Sequence, residues 1–222
     1  MFIACCSSVS AALPTPTWLC ASSSSSSSSS SQGTWVRYSH AAPAPLSLGV
    51  PVAANRGASG IDGVLSTAAG FAEGLARPCT LVVGDLSFLH DINGLSLLRA
   101  GEARPPLTVV LVNNGGGGIF SFLPIANAMP EQQFTQLWAT PQNVDLEGMC
   151  RAHGIPHQRA STPEEYQQAL NSAWGLNRHS VVEVVTGRSA NVDVHRMLQQ
   201  RVRRATHAYL ALRQLQQQQQ QQ

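Results

Sequence analysis

Two polar groups in this chain stand at the ends of apolar runs, where a ligand could reach them. Thr80–Val83 is the first run, and it ends in Gly84-Asp85-Leu86-Ser87. Leu107–Val112 is the second, and it ends in Asn113-Asn114 followed by four glycines, Gly115 to Gly118. A carboxylate, a side-chain amide oxygen and the exposed carbonyls of a glycine loop are all hard oxygen donors. Such a set suits Mg²⁺ or Ca²⁺ rather than zinc or copper. Mg²⁺ commonly completes its octahedron with phosphate oxygens and water. Leu86 and Ser87 open a helix, whose first N–H groups and positive dipole end attract a diphosphate. Gly115–Gly118 lets the backbone approach a ligand more closely than a Cβ would allow. Each part alone has a plainer reading: a turn or cap aspartate, a tight Asn-Gly turn, a flexible glycine linker. Together they are more specific, because both donor positions fall at the C-terminal ends of successive strands.

The elements that must position these groups follow from the apolar pattern. Between the two runs lies a stretch of helical length, so the unit reads as strand–helix–strand. A run that is apolar throughout predicts a strand buried on both faces. Upstream, Val50–Ala54 reads as a strand and Asn55 to Gly63 as a glycine-rich loop. Val64, Leu65, Ala68, Ala69, Ala72, Leu75 and Ala76 then recur at helical spacing. Asp62 is placed as the N-cap of that helix, and Pro78 forbids it beyond Arg77. Ser87 to Arg99 is predicted as one helix. Downstream, Glu131–Trp138 and Asp145–His153 read as short helices, the second stopped by Gly154. Ile155–Gln158 reads as a strand, and His153 and His157 as helix-terminal or exposed residues. Thr162-Pro163-Glu164-Glu165 is a strong helix start. Ser180–Val185 is another apolar strand, and a last helix covers about Val192 to Leu212. Strands alternating with helices predict an α/β fold: a doubly wound, mainly parallel sheet of five or six strands with helices on both faces. Ligands in such sheets bind outside the carboxyl ends of the strands.

Composition bounds what else the chain can be. A net charge of +2 on 222 residues leaves no electrostatic footprint for nucleic acid. No apolar run reaches the roughly 18 residues needed to span a bilayer. Cys5, Cys6 and Cys20 lie near the N-terminus, while Cys79 and Cys150 are not spaced as a metal pair and read as buried thiols. Ser22–Ser31 is unbroken serine and Gln216–Gln222 unbroken glutamine. Such tracts offer little apolar surface against chain entropy. The expected organisation is therefore a disordered tail over 1–49, a packed domain over 50–213 and a disordered tail over 214–222. From Met1 to Ile61 there is no acidic residue, and Arg37 and Arg56 are the strong bases. That composition fits an organelle transit segment; the expected location is a plastid, with a soluble intracellular location as the other expectation.

Gly84-Asp85, followed downstream by Asn113-Asn114, resembles the signature of thiamine diphosphate (ThDP) enzymes. The run from Asn55-Arg56-Gly57-Ala58-Ser59-Gly60-Ile61-Asp62-Gly63 through Leu65–Gly70 and Gly84–Ser87 to Ile119-Phe120-Ser121 is similar to the MenD family. These are the 2-succinyl-5-enolpyruvyl-6-hydroxy-3-cyclohexene-1-carboxylate synthases of menaquinone and phylloquinone synthesis. His90-Asp91-Ile92-Asn93-Gly94-Leu95 resembles the plant and algal PHYLLO form. The resemblance runs from about Val52 to Leu212, the C-terminal, diphosphate-binding domain of such enzymes. It implies ThDP and Mg²⁺ as cofactors. It places Asp85, Asn114 and the carbonyl of Gly116 on the metal, and Gly84, Leu86, Ser87 and Gly117 along the diphosphate. Ser59, Gly60 and Ile61 would meet the cofactor, Ile61 bending it into a V. Arg56 would bind a substrate carboxylate, which a guanidinium fork suits. Ile119 and Phe120 would line the pocket beside the reacting carbon. The implied reaction is that of a transferase: decarboxylation of 2-oxoglutarate and addition of the succinyl unit to isochorismate. Gly115 and Gly118 depart from the family pattern.

In the family an N-terminal domain supplies an activating glutamate, and no Asp or Glu precedes Asp62 here. The resemblance therefore implies a chain that is inactive alone and works in a homo-oligomer or with a partner chain carrying that domain. Two other readings stand beside it: a non-catalytic cofactor-binding subunit, and a different 2-oxo-acid ThDP enzyme.

Overall fold

The computed structural model describes residues 18–22, 52–55, 60–99 and 105–219. Arg56 and Ser59, named above for substrate and cofactor, lie outside the described residues.

Among the described residues six strands form one sheet: β1 (Trp18–Ser22), β2 (Val52–Asn55), β3 (Cys79–Gly84), β4 (Leu107–Asn113), β5 (His157–Ala160) and β6 (Ser180–Val185). Their order is β2-β1-β3-β4-β6-β5, and every pairing is parallel. The expected doubly wound α/β architecture is therefore present. β3, β4 and β6 lie within a residue or so of the apolar runs that predict them. β1 corrects the expected organisation. It falls in the stretch assigned to a disordered tail, yet it pairs with β2 on one side and β3 on the other. Trp18-Leu19-Cys20-Ala21 is a short apolar run hidden beside a long serine tract. Two parallel neighbours are enough to order it.

The helices are α1 (Val64–Leu75), α2 (Asp85–His90), α3 (Ile125–Ala128), α4 (Glu131–Phe134), α5 (Leu146–Ala152), α6 (Pro163–Gly175) and α7 (Arg188–Gln219). Helix α1 starts from Gly63, not Asp62: Gly63 is the N-cap, with φ 64°. The cap acceptor comes from elsewhere in the chain. Asp91 takes the Ser66 N–H at 2.7 Å and the Ser66 hydroxyl at 2.9 Å. The same interaction explains why Ser87 to Arg99 is not one helix. Asp91 leaves helical geometry (φ −110°, ψ 31°), and a 3₁₀ turn over Ile92–Leu98 follows. Helix α6 begins with a full capping box between Thr162 and Glu165, as its sequence predicts.

The sheet is covered on both faces. Leu81, Val83, Val109, Leu111 and Val181 pack with Leu65 and Ala68 of α1, Phe88 of α2 and Cys150 of α5. Val110, Val182 and Val184 face the other way, against Tyr166, Leu170 and Ala173 of α6. Alternate residues of one strand thus serve opposite cores, which is why these strands are mainly apolar, with Glu183 the charged exception in β6.

The chain divides into two compact units at Thr186–Gly187, and α7 with the residues that follow forms the second. It runs four residues earlier and seven later than expected. Its last part takes in glutamines that were assigned to a disordered tail, and glutamine is a good helix former. Among the described residues no helix is long and apolar enough to cross a membrane.

Candidate cofactor and metal site

β3 and β4 are neighbours, with Gly84 opposite Val112, so Asp85 and Asn113-Asn114 emerge side by side from the C-terminal edge of the sheet. Asp85 is 7% exposed. Its Oδ1 accepts the Leu86 N–H at 2.8 Å, and its Oδ2 accepts the Gly116 N–H at 2.7 Å. The structure thus joins two of the expected metal-site residues across the strand–helix–strand unit. Burial pushes the Asp85 carboxyl above the ordinary aspartate value, while the N–H bonds from Gly116 and Leu86 pull it part of the way back. A buried carboxylate of this kind is stabilised by a nearby positive charge.

The oxygen of Asn114 has the complementary deficit. Asn114 Oδ1 is buried and has no hydrogen-bond partner among the described residues. Leaving a buried carbonyl unpaired costs about 1–3 kcal/mol, and a cation beside Asp85 would remove that cost. A desolvated carboxylate and an orphaned amide oxygen are hard donors, so the residues present fit Mg²⁺. The Gly116 carbonyl, expected as a third donor, accepts the Gly118 N–H at 2.8 Å.

The glycine loop is shaped by what packs over it. Gly115 and Gly116 have φ of 75° and 117°. A Cβ on Gly116 would collide with the carbonyl oxygen of Ala139, and one on Gly117 would lie 2.8 Å from the Phe120 ring and 2.9 Å from the Trp138 oxygen. The Gly117 N–H donates to Ala139 O at 2.6 Å. The wide turn Thr135–Ala139 therefore clamps the loop, a role the sequence reading missed. Ile119 and Phe120 sit half-buried in a 3₁₀ turn over Gly118–Phe122, and Phe120 meets Trp138 edge to face at 5.4 Å. Ser87 is buried and Leu86 half-buried in the first turn of α2. Gly60 and Ile61 precede α1, exposed and half-buried respectively.

Three further residues reach the site from behind. Asn113 Nδ2 donates to Glu183 Oε1 at 2.7 Å, and His157 Nε2 lies 3.0 Å from Glu183 Oε2. The His157 and Glu183 side chains are 4% and 7% exposed. This corrects the reading of His157 as an exposed or helix-terminal residue: the strand begins at His157, and its side chain turns into the core. The His157 hydrogen bond holds the Glu183 carboxyl below its ordinary range against the opposing effect of burial, with the Asn113 amide assisting. One signal could have found this group. Glu183 is the acid inside the apolar run Ser180–Val185, and a buried charge demands a partner.

The comparison with known proteins decides the family. Residues 36–184 match the family described as "Thiamine pyrophosphate enzyme, C-terminal TPP binding domain". The chain belongs to that family. This ThDP-binding domain is 45% identical over 157 residues to the 2-succinyl-5-enolpyruvyl-6-hydroxy-3-cyclohexene-1-carboxylate synthase of Chlorobium limicola, covering 71% of this chain and 26% of that protein. It is 40% identical over 179 residues to protein PHYLLO, chloroplastic, of Arabidopsis thaliana, covering 78% of this chain and 10% of that one. The chain thus spans about a quarter of the length of the Chlorobium synthase. Benzoylformate decarboxylase from Polynucleobacter necessarius shares the fold, with a TM-score of 0.55 at 18% identity over 83% of this chain and 33% of that one. The strand-end groups of the ThDP domain, Asp85 and Asn114, sit where a parallel sheet presents its ligands.

Proposed function

We propose that this ThDP domain anchors the cofactor of a MenD-type synthase. That enzyme decarboxylates 2-oxoglutarate and adds the remaining four-carbon unit to isochorismate, on the way to menaquinone or phylloquinone. The observation that supports the reading best is the 45% identity to the Chlorobium synthase across a segment that includes the buried Asp85 carboxylate and the unpartnered Asn114 oxygen. In this reading Asp85, Asn114 and the Gly116 carbonyl hold Mg²⁺. Gly84, Leu86, Ser87 and Gly117 follow the diphosphate, and Ser59, Gly60 and Ile61 shape the rest of the cofactor site. Arg56 takes a substrate carboxylate. When bound, ThDP supplies the electron sink that a 2-oxo-acid decarboxylation needs. The chain's own part is to bind, orient and exclude water. Phe120 and Trp138 form an apolar wall beside the loop, and Ile119 extends it.

The carboxylate that activates the aminopyrimidine is assigned to another domain, of this polypeptide or of a partner subunit, since no acid precedes Asp62. These 222 residues alone are therefore proposed to bind the cofactor without turning over, within a homo-oligomer or a complex located in a plastid. Calorimetry of the chain and Asp85→Ala with ThDP and Mg²⁺ tests the site. Binding by the parent and its loss in the variant are expected, and equal affinities refute the metal assignment. Product from 2-oxoglutarate and isochorismate with the isolated chain would refute the division of labour.

A further inference from the structure

Among the described residues Glu183 meets none of the expected cofactor or metal groups, yet it lies at the centre of an unbroken chain of polar contacts that ends in the glycine loop. His157 on β5 meets Glu183 on β6 at 3.0 Å, Glu183 receives the Asn113 amide on β4 at 2.7 Å, and Asn113 Oδ1 accepts the Gly115 N–H at 3.2 Å. Asn113 is held by its backbone as well, since its carbonyl accepts the Thr186 N–H at 2.9 Å. We propose that Glu183 is a positioning residue for the metal site, acting through Asn113 on the loop that carries Asn114 and Gly116.

The argument is one of direction. A carboxylate only accepts hydrogen bonds, so the Asn113 amide must turn its NH₂ toward Glu183. Its oxygen then points the other way, to the Gly115 N–H. That bond sets the peptide between Asn114 and Gly115, at the entry to the left-handed turn of Gly115 and Gly116. The turn in turn brings the Gly116 N–H to Asp85 at 2.7 Å. Without Glu183 the amide loses its reference and the loop its first fixed point. His157 completes the arrangement by placing its Nε2 3.0 Å from the second Glu183 oxygen, so that this carboxylate sits in the core with a polar group beside each oxygen. Partners behind a metal ligand commonly change affinity about 10–100-fold when removed.

The inference rests on the reading of Asp85 and Asn114 as metal ligands, and two measurements keep the two apart. The first needs no cofactor: amide hydrogen exchange at Gly115 and Gly116, followed by NMR on the full chain. Exchange is expected to quicken at both glycines in Glu183→Ala and in Asn113→Ala. It should stay near the parent rate in Glu183→Gln, whose side-chain oxygen can still receive the Asn113 amide. Unchanged exchange at both glycines in Asn113→Ala, which leaves the Glu183–His157 pair in place, would overturn the inference whatever the fate of Glu183→Ala. The second is calorimetry with Mg²⁺ and ThDP. About tenfold or greater weakening is expected for Asn113→Ala, with affinity kept in Glu183→Gln. Parent-like affinity in Asn113→Ala, with Asp85→Ala abolishing binding, would overturn the positioning role and leave the metal site standing. Equal affinity of parent and Asp85→Ala, with faster glycine exchange in Asn113→Ala, would overturn the metal site and leave the loop control standing.

Discussion

Replacing Gly116 by alanine disturbs the glycine loop where it is most tightly held, and the cost has two parts. The backbone at Gly116 has φ 117°, a region where an L residue is strained by roughly 1–3 kcal/mol. The new Cβ would also collide with the Ala139 carbonyl oxygen and lie 3.1 Å from both Ala139 C and the Pro141 Cα. These are backbone atoms that cannot rotate away, so overpacking adds about 1–3 kcal/mol. Gly115 is an internal control. Its φ is 75°, but nothing lies within 4 Å of an added Cβ. Gly115→Ala therefore carries the backbone cost alone, about 1–2 kcal/mol. In a domain of this size each kcal/mol moves Tm by roughly 2–4 °C. Thermal unfolding followed by circular dichroism should thus rank the parent above Gly115→Ala, and Gly115→Ala above Gly116→Ala. The last is expected to melt roughly 4–24 °C below the parent. If the loop escapes by moving, the Gly116 N–H leaves Asp85 and ThDP affinity falls instead. Gly116→Ala that melts with Gly115→Ala and binds ThDP as tightly as the parent would refute the reasoning.

Two other expectations concern the scaffold. Thr162 Oγ1 accepts the Glu165 N–H at 3.2 Å, and the Thr162 N–H in turn donates to Glu165 Oε2. Thr162→Ala should cost about 1 kcal/mol of stability, read as a small fall in Tm with ThDP binding unchanged. The folded-state pKa of Glu183 lies below its ordinary value of 4.5. A depressed carboxyl contributes stability that is present above the unfolded value and lost as pH falls through the folded value. A plot of Tm against pH should therefore drop more steeply below pH 4.5 for the parent than for Glu183→Gln, and parallel curves would count against the pairing.

The parts of the fold that the sequence made legible are those whose burial is symmetric. β3, β4 and β6 are covered on both faces, so their residues are mainly apolar and hard to read otherwise, with Glu183 the charged exception in β6. The ends of the same strands were legible because polar residues there break the run abruptly, as at Asp85 and Asn113. What stayed hidden depended on partners distant in the chain. Trp18–Ser22 becomes a strand through its neighbours β2 and β3. Gly63 can start α1 only because Asp91 supplies the acceptor that Asp62 was expected to give. His157 looked like a histidine near a helix end, and only its proximity to Glu183 explains its place in the core. The composition of the glutamine run reports poor core-forming ability and says nothing against a single helix, and the helix runs to Gln219.

Asp91 also has a mechanical consequence. Its carboxylate bridges 25 positions of sequence to reach both polar groups of Ser66. One end of that tie is the close of α2, the helix that begins at Asp85. The other is the first turn of α1, directly after the loop that bears Ile61. Asp91 therefore works as a spacer bar of fixed length between two segments the chain would otherwise let drift. A displacement of α2 therefore pulls on the first turn of α1, and a cofactor touching both helices would meet one joined frame instead of two separate walls.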